Sequence, residues 1–333
     1  MLPRMATPSR VFLVTGGAGF IGSHVVERVL ALGDAAVVVD NFSTGRRENL
    51  AHLAGHDRFR LVEANVVDGL WAAVKPAVEH LGPATHLVHL AAQTSVVSSV
   101  QNPVDDVRIN YGATVHALEY ARHNGVQKVV FASSAATYGD ETEMPIAEAR
   151  ASAPVSPYGI NKLGSELFLH YYRQVHGLPT TALRFFNVYG PRQDPRSPYS
   201  GVISVFVDRA VRGLPLTIFG DGTQTRDFVF VEDVVRAILA ACEQSGAPGP
   251  YNVGTGRPTS ITDLAKAIVA ATGSASPIQH APSRAGEIVH SYANVDAARM
   301  ALGFRAEVAL EEGLARTQSS LAPDPSPATS AAS

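Results

Sequence analysis

Val11-Phe-Leu-Val-Thr-Gly-Gly-Ala-Gly-Phe-Ile-Gly22 starts as a short apolar, β-rich run, turns through four glycines and leads into a helical pattern that continues to Leu32. Strand, glycine turn and helix in that order form the context in which G-x-G-x-x-G carries weight, and Gly17, Gly19 and Gly22 satisfy it. Gly16 and Gly19 permit a tight turn and let the backbone approach a pyrophosphate at the helix N-terminus, while Gly22 lets the helix pack closely on the sheet. Phe20 and Ile21 lie in the same first turn and are expected to contact the cofactor with it. The next apolar run, residues 35–39, ends in Asp40, at about the distance where an acid takes a ribose 2′-hydroxyl. An acid here favours NAD, since Asp40 would repel the 2′-phosphate that Arg46 and Arg47 could otherwise suit; Asn41 extends the same segment.

Further strands are expected at residues 59–63, 86–90, 128–133 and 180–185, separated by helical patterns at 69–80, 104–124 and 158–176. Strands and helices alternating at this spacing predict an α/β fold built on a Rossmann-like doubly wound parallel sheet. Ligands of such sheets lie beyond the C-terminal ends of the strands, so the residues following each apolar run are the informative ones. These are Asn65 and Val66, then Leu90, Ala91 and Ala92, then Ser133 and Ser134, and finally Phe185 and Asn187. Ala91 and Ala92 are small enough for a cofactor to lie against the backbone. Asn110, in the next helical segment, either holds an active-site water or backbone group or is a satisfied core amide. From about residue 188 the composition changes, with Pro191, Pro195 and Pro198 in one loop. The expected division is an NAD-binding domain at 1–187, with segment 228–254 packing back on it, and a smaller α/β substrate-binding lobe at 188–321. Residues 322–333, rich in Pro, Ala and Ser, are expected to form a disordered tail.

Composition narrows the partners. With 27 Lys+Arg against 30 Asp+Glu the net charge is -3, which offers no basic field to nucleic acid or to an anionic membrane. The single cysteine, Cys242, excludes an internal disulfide framework and a thiolate zinc cluster, and the 12 histidines include no H-E-x-x-H, so no metal is expected. No apolar run reaches the roughly 18 residues of a membrane span. Residues 1–10 contain no signal-peptide core, and the expectation is a cytoplasmic protein acting on a small molecule.

Chemistry concentrates in Ser156-Pro-Tyr-Gly-Ile-Asn-Lys162. On a helix starting at the proline, Tyr158 and Lys162 are spaced i and i+4 and share one face. An ammonium near a phenol favours the phenolate, and from a reference pKa of about 10 each unit of lowering is worth about 1.4 kcal/mol to a base working near neutrality. The pair is therefore a candidate general base, and a surface helix that merely carries both residues is the plain alternative.

Thr15-Gly-Gly-Ala-Gly-Phe-Ile-Gly22, Ser133-Ser134, Tyr158-x-x-x-Lys162, Arg184-Phe-Phe-Asn-Val-Tyr-Gly-Pro191 and Thr225-Arg-Asp227 together resemble the extended short-chain dehydrogenase/reductase family, over residues 11–303. Within it the chain looks most like the nucleotide-sugar 4-epimerases that act on UDP-glucose and UDP-N-acetylglucosamine. The resemblance implies that Ser134 and Tyr158 contact the sugar 4-hydroxyl and that Lys162 holds the nicotinamide ribose and tunes Tyr158. It also implies that Asn187, Arg226 and Arg284 bind the nucleotide diphosphate. Asn65 departs from the Asp that often faces the adenine amine, but its amide oxygen can still accept that hydrogen bond.

Related dehydratases carry an Asp-Glu pair, and related decarboxylases a Glu, in the segment that here reads Ser134-Ala-Ala-Thr-Tyr138; Ala135 and Ala136 cannot transfer protons. The cysteine that reductive 3,5-epimerases use in this region is missing too, since Cys242 lies far away. The resemblance thus implies NAD-dependent 4-epimerisation of UDP-hexoses, with UDP-glucuronate as the alternative substrate and a non-catalytic NAD-binding regulator as the alternative of another class. Counting from Arg284, the hexose-pocket wall position is Ser291, small enough to leave room for a 2-acetamido group, whereas a slip of one residue would put Tyr292 there. A homodimer is implied as well, formed by the helices at 104–124 and 158–176 as a four-helix bundle.

Overall fold

The strands Val11–Thr15, Ala35–Asp40, His86–His89 and Thr180–Phe185 are buried at every position, the pattern of parallel strands covered on both faces. The computed structural model describes residues 10–150, 152–195, 201–283 and 288–321. Its main sheet has seven parallel strands in the order Tyr251–Val253, Thr180–Phe185, Lys128–Ser134, His86–His89, Val11–Thr15, Ala35–Asp40 and Phe59–Glu63. Val11–Thr15 pairs with the second strand on one side and the fourth on the other, Val14 standing beside both Val38 and Val88. The strand order reverses here, which opens a crevice at the C-terminal ends of these strands.

Alternate residues of each strand feed two cores. Phe12, Val14, Val38, Val88 and Val130 pack with Val25, Val26 and Val29 of the helix Phe20–Ala31 and with Val234 and Ile238 of the helix Val231–Glu243. Leu13, Val37, Leu87, Val129 and Phe131 pack on the other face against Leu118 of Ala113–His123 and Leu169 and Tyr172 of Pro157–His176. Each fully buried Val or Leu contributes about 1.5–3 kcal/mol, so these cores hold the crevice rigid.

Two features differ from the sequence expectation. The helical pattern at 104–124 is broken: Pro103–Asp106 is α-helical, Val107–Gly112 forms a π-helical turn, and Ala113–His123 resumes the α-helix. The wider turn accompanies inward-facing polar side chains, for Asp106 and Asn110 are both buried and Asn110 Nδ2 donates to Asp106 Oδ1 at 2.8 Å. The C-terminal part holds several strands of two to four residues, too short to show a period: Leu216–Phe219 beside Ile278–Ala281, and Thr225–Arg226 between Thr259–Ser260 and His290–Ser291. They surround a third core that includes Ile203, Phe206, Leu216, Ile218, Leu264 and Ile268. The chain passes between the two regions more than once. Phe228–Phe230 pairs with Asn187–Tyr189, Val231–Glu243 returns to the main sheet, and Tyr251–Val253 becomes its seventh strand. Among the described residues no helix is long and apolar enough to cross a membrane.

Candidate active site

Gly16 takes a φ of +70°, and a Cβ there would lie 2.7 Å from the Ala91 nitrogen, so the glycine turn and the loop after the fourth strand touch backbone to backbone. At Gly22 a Cβ would meet the Gly16 carbonyl oxygen at 2.2 Å, which explains the bare residue where the helix crosses the turn. The helix Phe20–Ala31 starts at Gly19 with no side-chain cap and no acid in its first turn, leaving its N–H groups and the positive end of its dipole for an anion. Phe20 and Ile21, from that turn, also pack against the third core.

Asp40 stands at the end of the second strand. Its Oδ2 accepts from the Ala18 N–H at 2.9 Å and its Oδ1 from the Phe42 N–H at 2.8 Å, so it braces the glycine turn and keeps further lone pairs for hydroxyls. Arg46 is paired with Asp194 and Arg47 with Glu63. Asn41 is exposed and accepts from the Ser43 N–H at 3.0 Å; Asn65 caps the turn Val66–Asp68 through the Val67 N–H at 3.4 Å, above buried Val66. Leu90, Ala91 and Ala92 are partly exposed along the opposite rim. Phe185 is in the first core. An uncapped helix start, a backbone-only turn and an acid at the second strand fit a dinucleotide.

Beyond the fourth and fifth strands lie the chemical groups. Ser156 caps the helix Pro157–His176 through the Gly159 N–H at 3.2 Å, and this sets Tyr158 and Lys162 on its inner face. The Ser134 hydroxyl accepts from the Ala136 N–H at 3.1 Å and lies close enough to the Tyr158 phenol to favour its ionised form. Lys162 Nζ donates to the Ala132 carbonyl at 2.9 Å and lies 5.6 Å from the Tyr158 ring centroid and 4.8 Å from that of Phe131. Burial pushes the Tyr158 hydroxyl up to about 12, against the lowering bond from Ser134, and Asp106 pushes it further up. Burial lowers Lys162 to about 8, although Asp106 and Glu166 raise it. The expectation that the ammonium would favour the phenolate therefore fails for the protein by itself: loss of water around the phenol outweighs a cation placed beside its ring rather than at its oxygen.

Asn110 acts on backbone. Its Oδ1 accepts from the Gln93 N–H at 3.0 Å and its Nδ2 donates to the Gln93 carbonyl at 2.9 Å, which pins the loop carrying Ala91 and Ala92. Asn187 is exposed at the start of the strand Asn187–Tyr189. Arg226 and Ser291 are register partners on neighbouring parallel strands. Arg284 lies outside the described residues.

Four side chains matter here to which the sequence assigned no role, although Asp227 stands in one of the quoted motifs. Asp227, fully buried, accepts from the N–H and hydroxyl of Thr255 and the N–H groups of Gly256 and Ala293, locking the loops on either side of Arg226. Glu166 receives Arg184 through two bonds of 2.9 and 2.7 Å and the Ser133 hydroxyl. Asp106 lies within the Gln93–Asn110–Asn161 amides. His89 bonds Thr15 Oγ1 at 2.7 Å, and burial lowers it to about 3, so it is neutral. A polar residue at helical spacing from Lys162 is the one sequence signal for Glu166; the others depend on contacts between distant segments.

The NAD dependent epimerase/dehydratase family matches residues 12–254. A UDP-glucose 4-epimerase of Mycolicibacterium smegmatis is 42% identical over 310 residues, 92% of this chain and 96% of that protein. Among solved structures, the UDP-glucose 4-epimerase of Thermotoga maritima with UDP-glucose is similar with a TM-score of 0.86 and 38% identity, over 93% of this chain and 98% of that one. The Thermus thermophilus UDP-glucose 4-epimerase in complex with NAD has a TM-score of 0.82 and 39% identity, with the same coverage of both chains. Glycine turn, braced acid and Ser–Tyr–Lys cluster thus agree with the comparisons: the chain belongs to the NAD dependent epimerase/dehydratase family, and its cofactor is NAD.

Proposed function

We propose that this isomerase is a 4-epimerase of UDP-hexoses, acting on UDP-glucose/UDP-galactose and on UDP-N-acetylglucosamine/UDP-N-acetylgalactosamine. The observation that carries the reading is Tyr158 with Lys162 Nζ 5.6 Å from its ring centroid and Ser134 near its phenol, in a segment whose neighbours Ala135 and Ala136 have no proton to give. NAD, when bound, would supply a hydride acceptor and donor for C4. Tyr158 takes the 4-hydroxyl proton on the outward step and returns it after the bound 4-keto sugar has presented its other face, which inverts C4. Ser134 holds the 4-oxygen in line with the phenol, and Lys162 holds the nicotinamide ribose. Asn187, Arg226 and Arg284 bind the diphosphate, Asp227 keeping the strand of Arg226 in place.

Ser291 sits beside Arg226, which supports a place for it at the hexose end of the diphosphate site. Its small side chain leaves room for a 2-acetamido group. An NMR assay of the wild type against a panel of UDP-hexoses should show both sugar pairs interconverting. In Ser291→Tyr the added ring overpacks by about 1–3 kcal/mol, so turnover of the N-acetyl pair falls roughly 10- to 100-fold while the unacetylated pair is spared. A wild type inert to N-acetyl sugars, or a variant weakened equally on both pairs, would show that Ser291 does not control access.

The assembly proposed is a homodimer through a four-helix bundle. Val97, Val100, Val104, Leu167 and Val175 are at least 60% exposed on the adjoining helices Val96–Gln101, Pro103–Asp106 and Pro157–His176, an apolar stripe that a second copy would cover. Light scattering should give twice the chain mass at micromolar concentration, and Leu167→Glu should halve it. A monomeric wild type would count against the bundle.

A further inference from the structure

Among the described residues two non-glycine residues hold a positive φ, Phe42 at +57° and Arg192 at +71°. A Cβ disfavours that region, and such strain persists only where the surroundings fix it. The two residues are far apart in sequence, yet their segments meet. Residues 41–49 follow Asp40, residues 190–194 follow the strand Asn187–Tyr189, and an Arg46–Asp194 ion pair joins the two.

Residues 41–49 are folded over the acid of the cofactor site. The Phe42 N–H donates to Asp40 Oδ1 at 2.8 Å, and the chain returns so closely that a Cβ on Gly45 would lie 2.7 Å from the same oxygen. Ala18, in the glycine turn, is gripped at both of its backbone groups. Its N–H donates to Asp40 Oδ2 at 2.9 Å, and its carbonyl accepts from the Arg46 N–H at 3.0 Å and from Asn49 Nδ2 at 2.8 Å. Glycine turn, acid and segment 41–49 therefore share one set of bonds.

Residues 190–194 hold the same corner from the other side. His24 Nε2 donates to the Pro191 carbonyl at 3.1 Å, and Arg192 reaches Glu27, which also takes His52 Nε2 at 2.7 Å. His24 and Glu27 belong to the helix Phe20–Ala31, whose N-terminus faces the pyrophosphate, and His52 to the short helix Arg47–Leu53. Asp194 then takes Arg46. Arg47, the next residue, pairs instead with Glu63 on the strand Phe59–Glu63 and makes no such bridge.

We propose that Arg46 and Asp194 are positioning residues for NAD: their pair, backed by Arg192 and Glu27, holds segment 41–49 on Asp40 and the glycine turn, and so sets how long the ribose end of the cofactor stays bound. This role rests on NAD as the cofactor and not on which sugar is turned over.

The test measures release of NAD from the holoenzyme into an excess of a scavenging dehydrogenase, beside amide hydrogen exchange at Phe42 and Arg46, for Arg46→Ala, Asp194→Ala and the double variant. The two side chains are 45% and 30% exposed, so folding is not at stake. Each single variant should release NAD about 2- to 5-fold faster, with both amides exchanging faster. The double variant should be no faster than the quicker single, since losing one partner already breaks the pair. Wild-type release should quicken as salt is raised toward about 1 M, and the variants should respond less. Glu63→Ala, which frees Arg47 without touching the bridge, should leave the release rate unchanged. Single variants that release NAD at the wild-type rate overturn the role of the pair, as do single effects that add in the double variant. Faster release with unmoved amides overturns it as well, because segment 41–49 would then not carry the effect.

Discussion

Tyr158→Phe is expected to lower kcat by about 10²- to 10⁴-fold, the range associated with losing a positioned acid/base. The phenylalanine keeps the ring that lies beside Lys162 and deletes only the hydroxyl near Ser134. NAD should therefore remain bound, since the glycine turn, Asp40 and Lys162 are untouched. Folding should lose no more than about 1 kcal/mol, the net worth of one hydrogen bond. Steady-state epimerisation by NMR, with bound NAD measured on the same sample, separates a lost base from a lost cofactor. An undiminished turnover number would remove Tyr158 from the chemistry.

Glu166→Ala is expected to cost about 3–5 kcal/mol of stability, because it strands the Arg184 guanidinium in the core. Arg184 is 3% exposed, and among the described residues what faces its charge in place of the lost carboxylate is the Tyr138 ring, 4.5 Å away, with Glu148 acting at longer range. The damage should travel. Tyr138 donates to Asn252 Oδ1 at 2.6 Å on the seventh strand, and Asn252 bonds the Ile146 and Asn294 carbonyls at 2.8 and 3.1 Å. Ser133, beside Ser134, loses its acceptor as well. Thermal and urea unfolding should show a drop in Tm on the order of 10 °C. A change below 1 kcal/mol would mean that water or another acid reaches Arg184.

The parts of the molecule written in local pattern were readable from residues alone. The strand, glycine turn and helix around Gly16, Gly19 and Gly22 could be placed because each residue there answers a backbone requirement of its immediate neighbours. Asp40 followed from its distance along the chain, and the helix start at Pro157 from its cap and proline. The Tyr158–Lys162 spacing is legible for the same reason, whereas the burial that raises the phenol and lowers the ammonium is not. Spacing on a helix says that two groups share a face; it says nothing about how much water the fold removes from each. The roles of Asp106, Asp227 and Glu166 are not legible in the sequence on related grounds, since their partners Asn161, Thr255, Ala293 and Arg184 come from other segments and only tertiary structure assembles them. The two-residue strands Thr225–Arg226 and His290–Ser291 show no alternation to read, yet their pairing sets Ser291 beside Arg226.

The origin of the seventh strand bears on how the protein is made. Tyr251–Val253 closes the side of Thr180–Phe185, a strand buried at all positions in the finished molecule. On the ribosome, that strand emerges long before its partner, with a row of unpaired N–H and C=O groups and an apolar face open to any neighbouring chain. The intervening segment, with Val202–Val211, Leu216–Phe219 and Val231–Glu243, must be synthesised and turned back before the edge is covered. The main sheet and the region around the third core therefore cannot mature one after the other, and the nascent chain depends most on protection from aggregation between these two events.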